Sequence, residues 1–180
     1  MAGLTTLTDP ARAAVELYAD SLAALPLLLD KAEASGDILD IGSGGGFPGL
    51  VLACVETRHR YVLAERNGKK AAFLRHAVRA LDLEHRVVVR EEDVTRHRMP
   101  PGPFAVVTSK ATFSDPSWLL LAADMLGPGG CVMWYAGQDA ALPFGQGRGL
   151  SVMAHRQYTL GGLDRPRQVL LLTPANGRNP

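Results

Sequence analysis

The sequence predicts an α/β protein built on a doubly wound, mostly parallel, seven-stranded sheet. Two observations carry this prediction. Short apolar segments typical of buried strands alternate with helix-like segments from residue 38 to residue 136, which favours parallel strands joined by crossover helices. Two further β-like segments, 151–160 and 168–173, follow without a helix between them and predict a C-terminal antiparallel hairpin.

Helices are predicted before the first strand. Asp9 followed by Pro10 is typical of a helix N-cap with proline at the first helical position, and it predicts a helix over 11–24. Pro26 interrupts this helix before a second helical stretch that reaches about residue 34. We therefore expect one domain over residues 1–180, with an N-terminal helical cap at 1–35 and an α/β core at 36–175.

The core elements follow from local apolar patterns and breaker residues. Strands are predicted at 38–41, 60–64, 87–89, 104–108 and 131–136, and helices at 47–55, 68–83 and 114–126. The helix over 68–83 has apolar residues at 71, 74, 78 and 81, the spacing of one helix face. A turn rich in glycine and proline is predicted over 127–130, directly before the fifth strand. Right-handed crossovers would bring the ends of the first, second and fourth strands to one edge of the sheet.

Composition argues against several classes of protein. With 47% apolar and 21% charged residues the chain is typical of a globular protein, and its longest apolar runs, such as 118–123, are too short to span a bilayer. Residues 1–10 lack the basic start and apolar run of a secretory signal. Cys54 and Cys131 lie in apolar contexts and predict buried, reduced side chains without a metal site, and hence a cytoplasmic protein.

The charge pattern leaves nucleic-acid binding open. The net charge is only +1, so the chain carries no polybasic signal. Basic residues nevertheless cluster at Arg75, His76 and Arg79 in one predicted helix, and at 96–98 in one predicted loop. A phosphate-contacting face and a solvated helix face explain these clusters equally well.

A glycine-dense turn after the first predicted strand indicates a nucleotide-type binding site. The strand ends in Asp40, and glycines at 42, 44, 45 and 46 precede an apolar helical segment. Glycine permits positive φ and a close approach of the backbone to a ligand, and the helix N-terminus offers free N–H groups. A dinucleotide motif would need glycine at Phe47, and no P-loop lysine follows. The pattern resembles the first motif of class I S-adenosylmethionine-dependent methyltransferases; a glycine-rich hairpin or linker is the alternative.

Acidic residues follow the next two predicted strands. Glu65 ends the second strand, where a carboxylate can accept hydrogen bonds from both ribose hydroxyls of a nucleoside, and its alternative role is an N-cap for the next helix. Glu91, Glu92 and Asp93 follow the third strand. One of these three acids is suited to bind an adenine amino group, and a solvated turn is the alternative.

A longer string makes the resemblance specific. Residues 40–50, Asp-Ile-Gly-Ser-Gly-Gly-Gly-Phe-Pro-Gly-Leu, resemble the D-x-G-[ST]-G-x-G-[FL]-P-G motif of the glucose-inhibited division protein B (RsmG) family. Residues 65–74 resemble the family's acid-x-x-x-K-[KR]-x-x-F-L segment, and residues 109–111 and 136–138 resemble its S-R-A and K-G-[QK] segments. Residues 3–5 and 20–22 resemble its N-L-T and D-S-[IL] segments. Members of this family methylate N7 of a guanine in small-subunit (16S) ribosomal RNA.

The resemblance implies a Rossmann-like methyltransferase that uses S-adenosyl-L-methionine, releases S-adenosyl-L-homocysteine and acts on ribosomal RNA or the small ribosomal subunit, with no metal and no membrane. The catalytic residues expected on this basis are Ser109 and Lys110. The expected cofactor-binding residues are Asp40, Gly42, Ser43, Gly44, Gly46, Phe47, Glu65, Arg66, Glu92, Asp93 and Thr108. Because N7 carries a lone pair and no proton, the reaction needs no general base. Thr108 to Lys110 are instead suited to fix a substrate carbonyl.

Three substitutions depart from the family pattern. Lys110 replaces an arginine, Ala136 replaces a lysine, and Leu17 stands where the family has a histidine. Lysine is a point charge and lacks the planar fork of arginine. We expect the Lys110 ammonium at the mouth of the substrate site; its alternative role is that of a surface cation or of a partner for an acid such as Glu92. Two other functions stay open: a small-molecule methyltransferase, and a catalytically silent cofactor-binding protein.

Overall fold

Among the residues described by the computed structural model (7, 9–30, 36–110, 117–137, 140, 149–161 and 166–175), seven strands form one sheet. The strands are β1 (Asp37–Ile41), β2 (Tyr61–Ala64), β3 (Val87–Arg90), β4 (Phe104–Ser109), β5 (Leu126–Gly137), β6 (Leu150–Tyr158) and β7 (Arg167–Pro174). The helical elements are α1 (Pro10–Ala13), a π-helical segment (Ala14–Ala19), α2 (Asp20–Leu22), α3 (Leu25–Asp30), α4 (Gly49–Val55), α5 (Gly68–Ala80) and α6 (Trp118–Ala123).

The order of the strands confirms the predicted fold. It is β3-β2-β1-β4-β5-β7-β6, with parallel pairing from β3 to β5. Strand β7 pairs antiparallel with both β5 and β6, so the predicted C-terminal hairpin closes the sheet. The chain reverses its direction of travel across the sheet between β1 and β4. Ligands bind in doubly wound sheets at the carboxyl ends of the strands beside such a reversal.

Helices cover both faces of the sheet, which explains why the inner strands are mostly apolar. Along β1, Ile38 packs in one buried cluster with residues of α4 and α5, whereas Leu39 packs in a second cluster with residues of α6. Every residue of β2 and β4 is buried. The sequence of a strand that is buried on both faces is mostly a continuous apolar run, as is common for parallel strands.

The N-terminal helices begin as predicted. The Asp9 carboxylate accepts a hydrogen bond from the Ala11 N–H at 3.0 Å, and Pro10 occupies the first turn. The helical path continues through the π-helical segment and α2, and α3 then begins at Leu25 with Pro26 in its first turn. The predicted end of the second helix near residue 34, the first part of the helix predicted over 114–126 and Gly162 lie outside the described residues.

The predicted turn at 127–130 is wrong as a boundary, because β5 already begins at Leu126. Leu126 pairs with Phe104, and the next aligned pair is Cys131 with Val106, so the glycine-rich residues bulge out of a continuing strand. A Cβ atom at Gly130 would lie 2.8 Å from the carbonyl oxygen of Phe104. Glycine therefore serves here to let two backbones approach each other, a role that sequence alone does not separate from a turn.

One cysteine is not where the sequence predicts it. Cys131 is buried in β5, as expected, but Cys54 is exposed near the end of α4. Leu52 and Ala53, the two residues before Cys54, are buried, whereas Cys54 and Val55 lie on the exposed side of a short amphipathic helix.

Candidate active site

The turn between β1 and α4 has the backbone that its glycines predict. Gly42, Gly44 and Gly46 have φ values of 71°, 56° and 97°. Residues other than glycine rarely adopt such positive φ angles. At Gly46 a Cβ atom would also lie 2.9 Å from the Cβ of Leu50, so both conformation and space require glycine there. The turn joins a strand to a helix, so the alternative of a glycine-rich hairpin or linker is wrong.

Hydrogen bonds to Asp40 stabilise this turn. Its side chain is completely buried, and Oδ2 accepts a hydrogen bond of 2.9 Å from the N–H of Gly49, the first residue of α4. The Ser43 hydroxyl donates to the main-chain oxygen of Asp40 at 2.9 Å. Burial raises the pKa of Asp40 to about 7, against the opposing effect of the Gly49 hydrogen bond. The charge on this carboxyl group therefore changes near neutral pH.

The Glu65 carboxylate also stabilises the turn. Its Oε2 accepts a hydrogen bond of 2.9 Å from the N–H of Gly44, and its Oε1 accepts one of 2.8 Å from the N–H of Asn67. Asn67, not Glu65, is the N-cap of α5. An ionised carboxylate offers about four acceptor positions, so two stay available after these bonds.

A cavity of about 490 Å³ opens at the carboxyl ends of β1, β2 and β4. That volume is within the usual range for small-molecule sites. The described residues that line it are Leu17, Ile41, Gly42, Ser43, Gly44, Gly45, Phe47, Glu65, Arg66, Lys70, Glu92, Asp93, Val94 and Lys110. Nine of the predicted site residues are in this lining, and four (Asp40, Gly46, Thr108 and Ser109) are not.

The structure separates the three acids after β3. Glu91 points away and pairs with Arg75 at 3.1 Å, with both side chains largely exposed. Glu92 and Asp93 line the cavity beside the buried Val94. Within the described part of the chain, the buried Oε1 of Glu92 has no hydrogen-bond partner. A buried acceptor without a donor, at the wall of a cavity, fits a ligand that brings an N–H group.

The two hydroxyl groups at the end of β4 face the sheet instead of the cavity. Thr108 donates to the carbonyl oxygen of Met133 at 2.9 Å, and Ser109 donates to that of Ile41 at 2.8 Å. A hydroxyl group has one proton to donate. In this arrangement neither hydroxyl has a proton left for a substrate carbonyl, and both instead connect β4 to its neighbouring strands.

Lys110 lies between the cavity and the N-terminal helices. Its Nζ is 2.8 Å from Oδ2 of Asp20 and donates to the main-chain oxygen of Glu16 at 3.2 Å. Pairing of Lys110 with an acid, an alternative role named from the sequence, is therefore observed, with Asp20 as the acid. Burial lowers the pKa of Lys110, and the charge of Asp20 opposes that shift.

The N-terminal helices form one wall of the cavity. Leu17, in the π-helical segment, is part of the lining. The ring of Tyr18 meets that of Phe47 edge-on, with centroids 5.0 Å apart. Thus the helical cap contacts the same turn that Asp40 and Glu65 hold in place.

Comparison with known proteins decides the family. The family model GidB, described as rRNA small subunit methyltransferase G, matches residues 1–150. The chain belongs to the GidB family. It is 32% identical over 173 residues to the ribosomal RNA small subunit methyltransferase G of Leptothrix cholodnii, an alignment covering 95% of this chain and 78% of that protein. With the enzyme of the same name from an Anaeromyxobacter species, identity is 38%, covering 76% of this chain and 62% of that protein.

Solved structures confirm the fold of this GidB-family chain. A S-adenosylmethionine-dependent methyltransferase from Aquifex aeolicus superposes with a TM-score of 0.64 at 17% identity, covering 94% of this chain and 96% of that one. TrmN from Thermus thermophilus gives a TM-score of 0.64 at 19% identity, covering 86% of this chain and 48% of that one. The predicted resemblance and the predicted class of enzyme, a methyltransferase, are therefore confirmed.

Five cavity residues were not predicted: Leu17, Ile41, Gly45, Lys70 and Val94. Leu17 carries a signal, because it occupies the family's histidine position, and Lys70 belongs to the family's K-[KR] pair. Ile41 and Val94 are ordinary apolar residues whose position depends on where their strands end.

The described residues contain no group of three or more His, Cys, Asp or Glu side chains that could hold a metal ion. The helices among them include none with the length and apolar character needed to cross a membrane.

Proposed function

We propose that this GidB-family chain transfers the methyl group of S-adenosyl-L-methionine to N7 of a guanine in small-subunit (16S) ribosomal RNA. The observation that carries the proposal is the cavity itself: it lies at the strand-order reversal, within the segment that the family model matches, and three acidic side chains that follow two neighbouring strands line it. The curated relatives with the matching name act, by that name, on small-subunit ribosomal RNA.

The cavity residues fit an adenosine group. In the proposed arrangement the remaining acceptor positions of Glu65 bind the ribose hydroxyls. Oε1 of Glu92, which has no hydrogen-bond partner among the described residues, accepts from the adenine amino group. Val94 and Ile41 supply apolar walls for the base. The backbone of Gly42 to Gly44 lies against the amino-acid part of the cofactor, where the absence of Cβ atoms leaves room.

Methyl transfer from a sulfonium group is an in-line displacement, so the protein's task is mainly to position the two partners. Guanine N7 attacks with its lone pair and no proton has to be removed beforehand. Lys110 lines the cavity and is the residue that we place nearest the guanine, as the sequence suggested. Thr108 and Ser109 support the position of Lys110, because their hydrogen bonds hold the end of β4 against β5 and β1.

Basic residues near the opening support an RNA substrate. Arg66 and Lys70 line the cavity, and Arg96 and Arg98 are exposed on the loop that follows the acids after β3. Such residues are suited to contact phosphates of a polyanion on both sides of a flipped or single-stranded base. An RNA substrate of the ribosome places the protein in the cytoplasm, in contact with the small subunit.

A deletion strain tests the proposed substrate. Mass mapping of 16S ribosomal RNA from cells that lack this gene should show loss of one N7-methylguanosine, restored by the wild-type gene and not by a Glu65→Ala variant. A complete set of N7-methylguanosines in the deletion strain would rule out the RNA assignment. A small-molecule methyltransferase is the second candidate, favoured by the pairing of the Lys110 ammonium with Asp20 instead of an open position at the cavity mouth.

A further inference from the structure

A buried ionic network joins the N-terminal helices to the sheet edge beside the cavity. At its centre is Asp20 of α2, whose residue surface is only 1% exposed. Its Oδ2 lies 2.8 Å from Nζ of Lys110 and accepts from Nη1 of Arg167 at 3.0 Å. Its Oδ1 accepts from the hydroxyl of Tyr158 at 2.7 Å.

The partners of Asp20 come from three separate parts of the chain. Lys110 follows β4, Tyr158 ends β6 and Arg167 begins β7, where it pairs in register with Tyr158. These positions all lie at the same sheet edge, because Arg167 also pairs with Gly137 at the end of β5. One carboxylate thus ties a short helix to the edge where the cavity opens.

Neighbouring contacts strengthen the same attachment. The Tyr135 hydroxyl donates to the main-chain oxygen of Ser21 at 2.6 Å, and the Lys110 ammonium lies 5.9 Å from the centre of the Tyr135 ring. Lys110 also donates to the main-chain oxygen of Glu16. Glu16 also belongs to this cluster, since Nη2 of Arg167 lies 3.9 Å from Oε2 of Glu16, and the exposed Arg12 pairs with Glu16 as well.

The helical segment that this network attaches to the sheet forms one wall of the cavity. Leu17 lines the cavity and Tyr18 packs against Phe47 of the glycine turn, and both precede Asp20 by one helical turn or less. Both belong to the π-helical segment, a rare form that often occurs at functional sites. Moving Asp20 would therefore move this wall and the Lys110 ammonium together.

We propose that Asp20 is a positioning residue for methyl transfer: through Lys110, Arg167 and Tyr158 it holds the N-terminal helical wall closed over the cavity and sets the place of the Lys110 ammonium. The proposal rests on the proposed function for its kinetic consequence, but not for its effect on cofactor affinity. Asp20 does not itself line the cavity, and it acts through Lys110, which does.

The test compares Asp20→Asn with Glu56→Gln in the full chain. Glu56 is a matched control, because it is equally buried (1% exposed) and accepts hydrogen bonds from Arg58, His59 and Tyr61 at the opposite edge of the sheet. Both variants should lower the melting temperature. Well below both melting temperatures, Asp20→Asn should bind S-adenosyl-L-methionine at least tenfold more weakly by calorimetry, whereas Glu56→Gln should match the wild type.

Turnover adds a second readout. On 16S ribosomal RNA, kcat/KM of Asp20→Asn should fall by about 100-fold, the cost of a displacement of about 1 Å in a positioned site, while Glu56→Gln keeps the wild-type value. The double variant Asp20→Asn with Lys110→Met should be no worse than the poorer single variant, because the two side chains act as a unit. If Asp20→Asn does not fold, Tyr158→Phe replaces it, with a several-fold loss of affinity expected.

Equal cofactor affinity and equal kcat/KM for Asp20→Asn, Glu56→Gln and the wild type would overturn the inference and reduce the network to a stabilising role. Fully additive losses in the double variant would also overturn it. A wild-type protein that binds the cofactor but does not methylate ribosomal RNA would refute the proposed function alone, because the affinity comparison still decides the role of Asp20.

Discussion

Gly49, the first residue of α4, connects the fold to the site, and replacing it with alanine should damage both. Its N–H donates to the buried Oδ2 of Asp40. A Cβ atom at this position would lie 2.6 Å from Cδ2 of Leu63 and 2.7 Å from both Cβ and Oδ2 of Asp40. Neither neighbour has room to withdraw, because both are completely buried.

The expected loss follows from two opposing sets of effects. Overpacking of a dense core costs about 1–3 kcal/mol, and a weakened hydrogen bond to a buried carboxyl group costs about 1–3 kcal/mol more. Alanine regains about 1 kcal/mol over glycine through its higher helix propensity. Gly49→Ala should therefore lower the free energy of unfolding by about 3 kcal/mol.

Urea unfolding measures this loss, and Gly161→Ala is the matched control. A Cβ atom at Gly161 would meet nothing within 4 Å, so the same chemical change should shift stability by less than about 0.5 kcal/mol. Cofactor affinity of Gly49→Ala should also fall, since the glycine turn moves with Asp40. If the two variants unfolded at the same urea concentration and bound the cofactor equally, the account of this turn would be refuted.

Three further predictions concern charge and turn geometry. Because the folded-state pKa of Asp40 is about 7 and its ordinary value is 3.8, the wild type should lose stability relative to Asp40→Asn as pH rises from 4 to 8. The total is roughly 4 kcal/mol at about 1.36 kcal/mol per pKa unit, and parallel pH profiles in urea unfolding would contradict it. Lys110→Arg should keep or raise turnover on 16S ribosomal RNA, because a guanidinium group can still pair with Asp20. Lys110→Ala should weaken RNA binding and lower the slope of its salt dependence by about one. Equal turnover and equal RNA affinity for Lys110→Ala, Lys110→Arg and the wild type would contradict this. Gly44→Asp, which adds a charge beside Glu65 at a φ of 56°, should abolish cofactor binding in calorimetry, and unchanged affinity would mean that the site is misplaced.

The parts of the site that could be predicted from the sequence are those fixed by local backbone chemistry. Alternating strands and helices determine the sheet, and the spacing of Gly42, Gly44 and Gly46 determines a turn with positive φ. Acids directly after β2 and β3 reach the same edge because parallel strands end there. The family motif then adds the class of enzyme to this geometry.

The parts that could not be predicted depend on contacts between distant segments. Lys110 and Asp20 are far apart in the sequence, and nothing local to either residue indicates the other as its partner. The choice of Glu92 over Glu91 depends on how the chain leaves β3, and on the exposed pairing of Glu91 with Arg75. The hydroxyl groups of Thr108 and Ser109 were expected to face a substrate, but their neighbouring strands offer carbonyl oxygens at hydrogen-bond distance.

The most direct test is methyl transfer in vitro. The purified chain is incubated with S-adenosyl-L-methionine labelled in its methyl group and with small ribosomal subunits from the deletion strain, and the RNA is digested and analysed by mass spectrometry. The account predicts label in a single N7-methylguanosine of 16S ribosomal RNA, and none with the Glu65→Ala variant. Label at another atom or in another RNA, or no label although calorimetry shows that the cofactor binds, would contradict it.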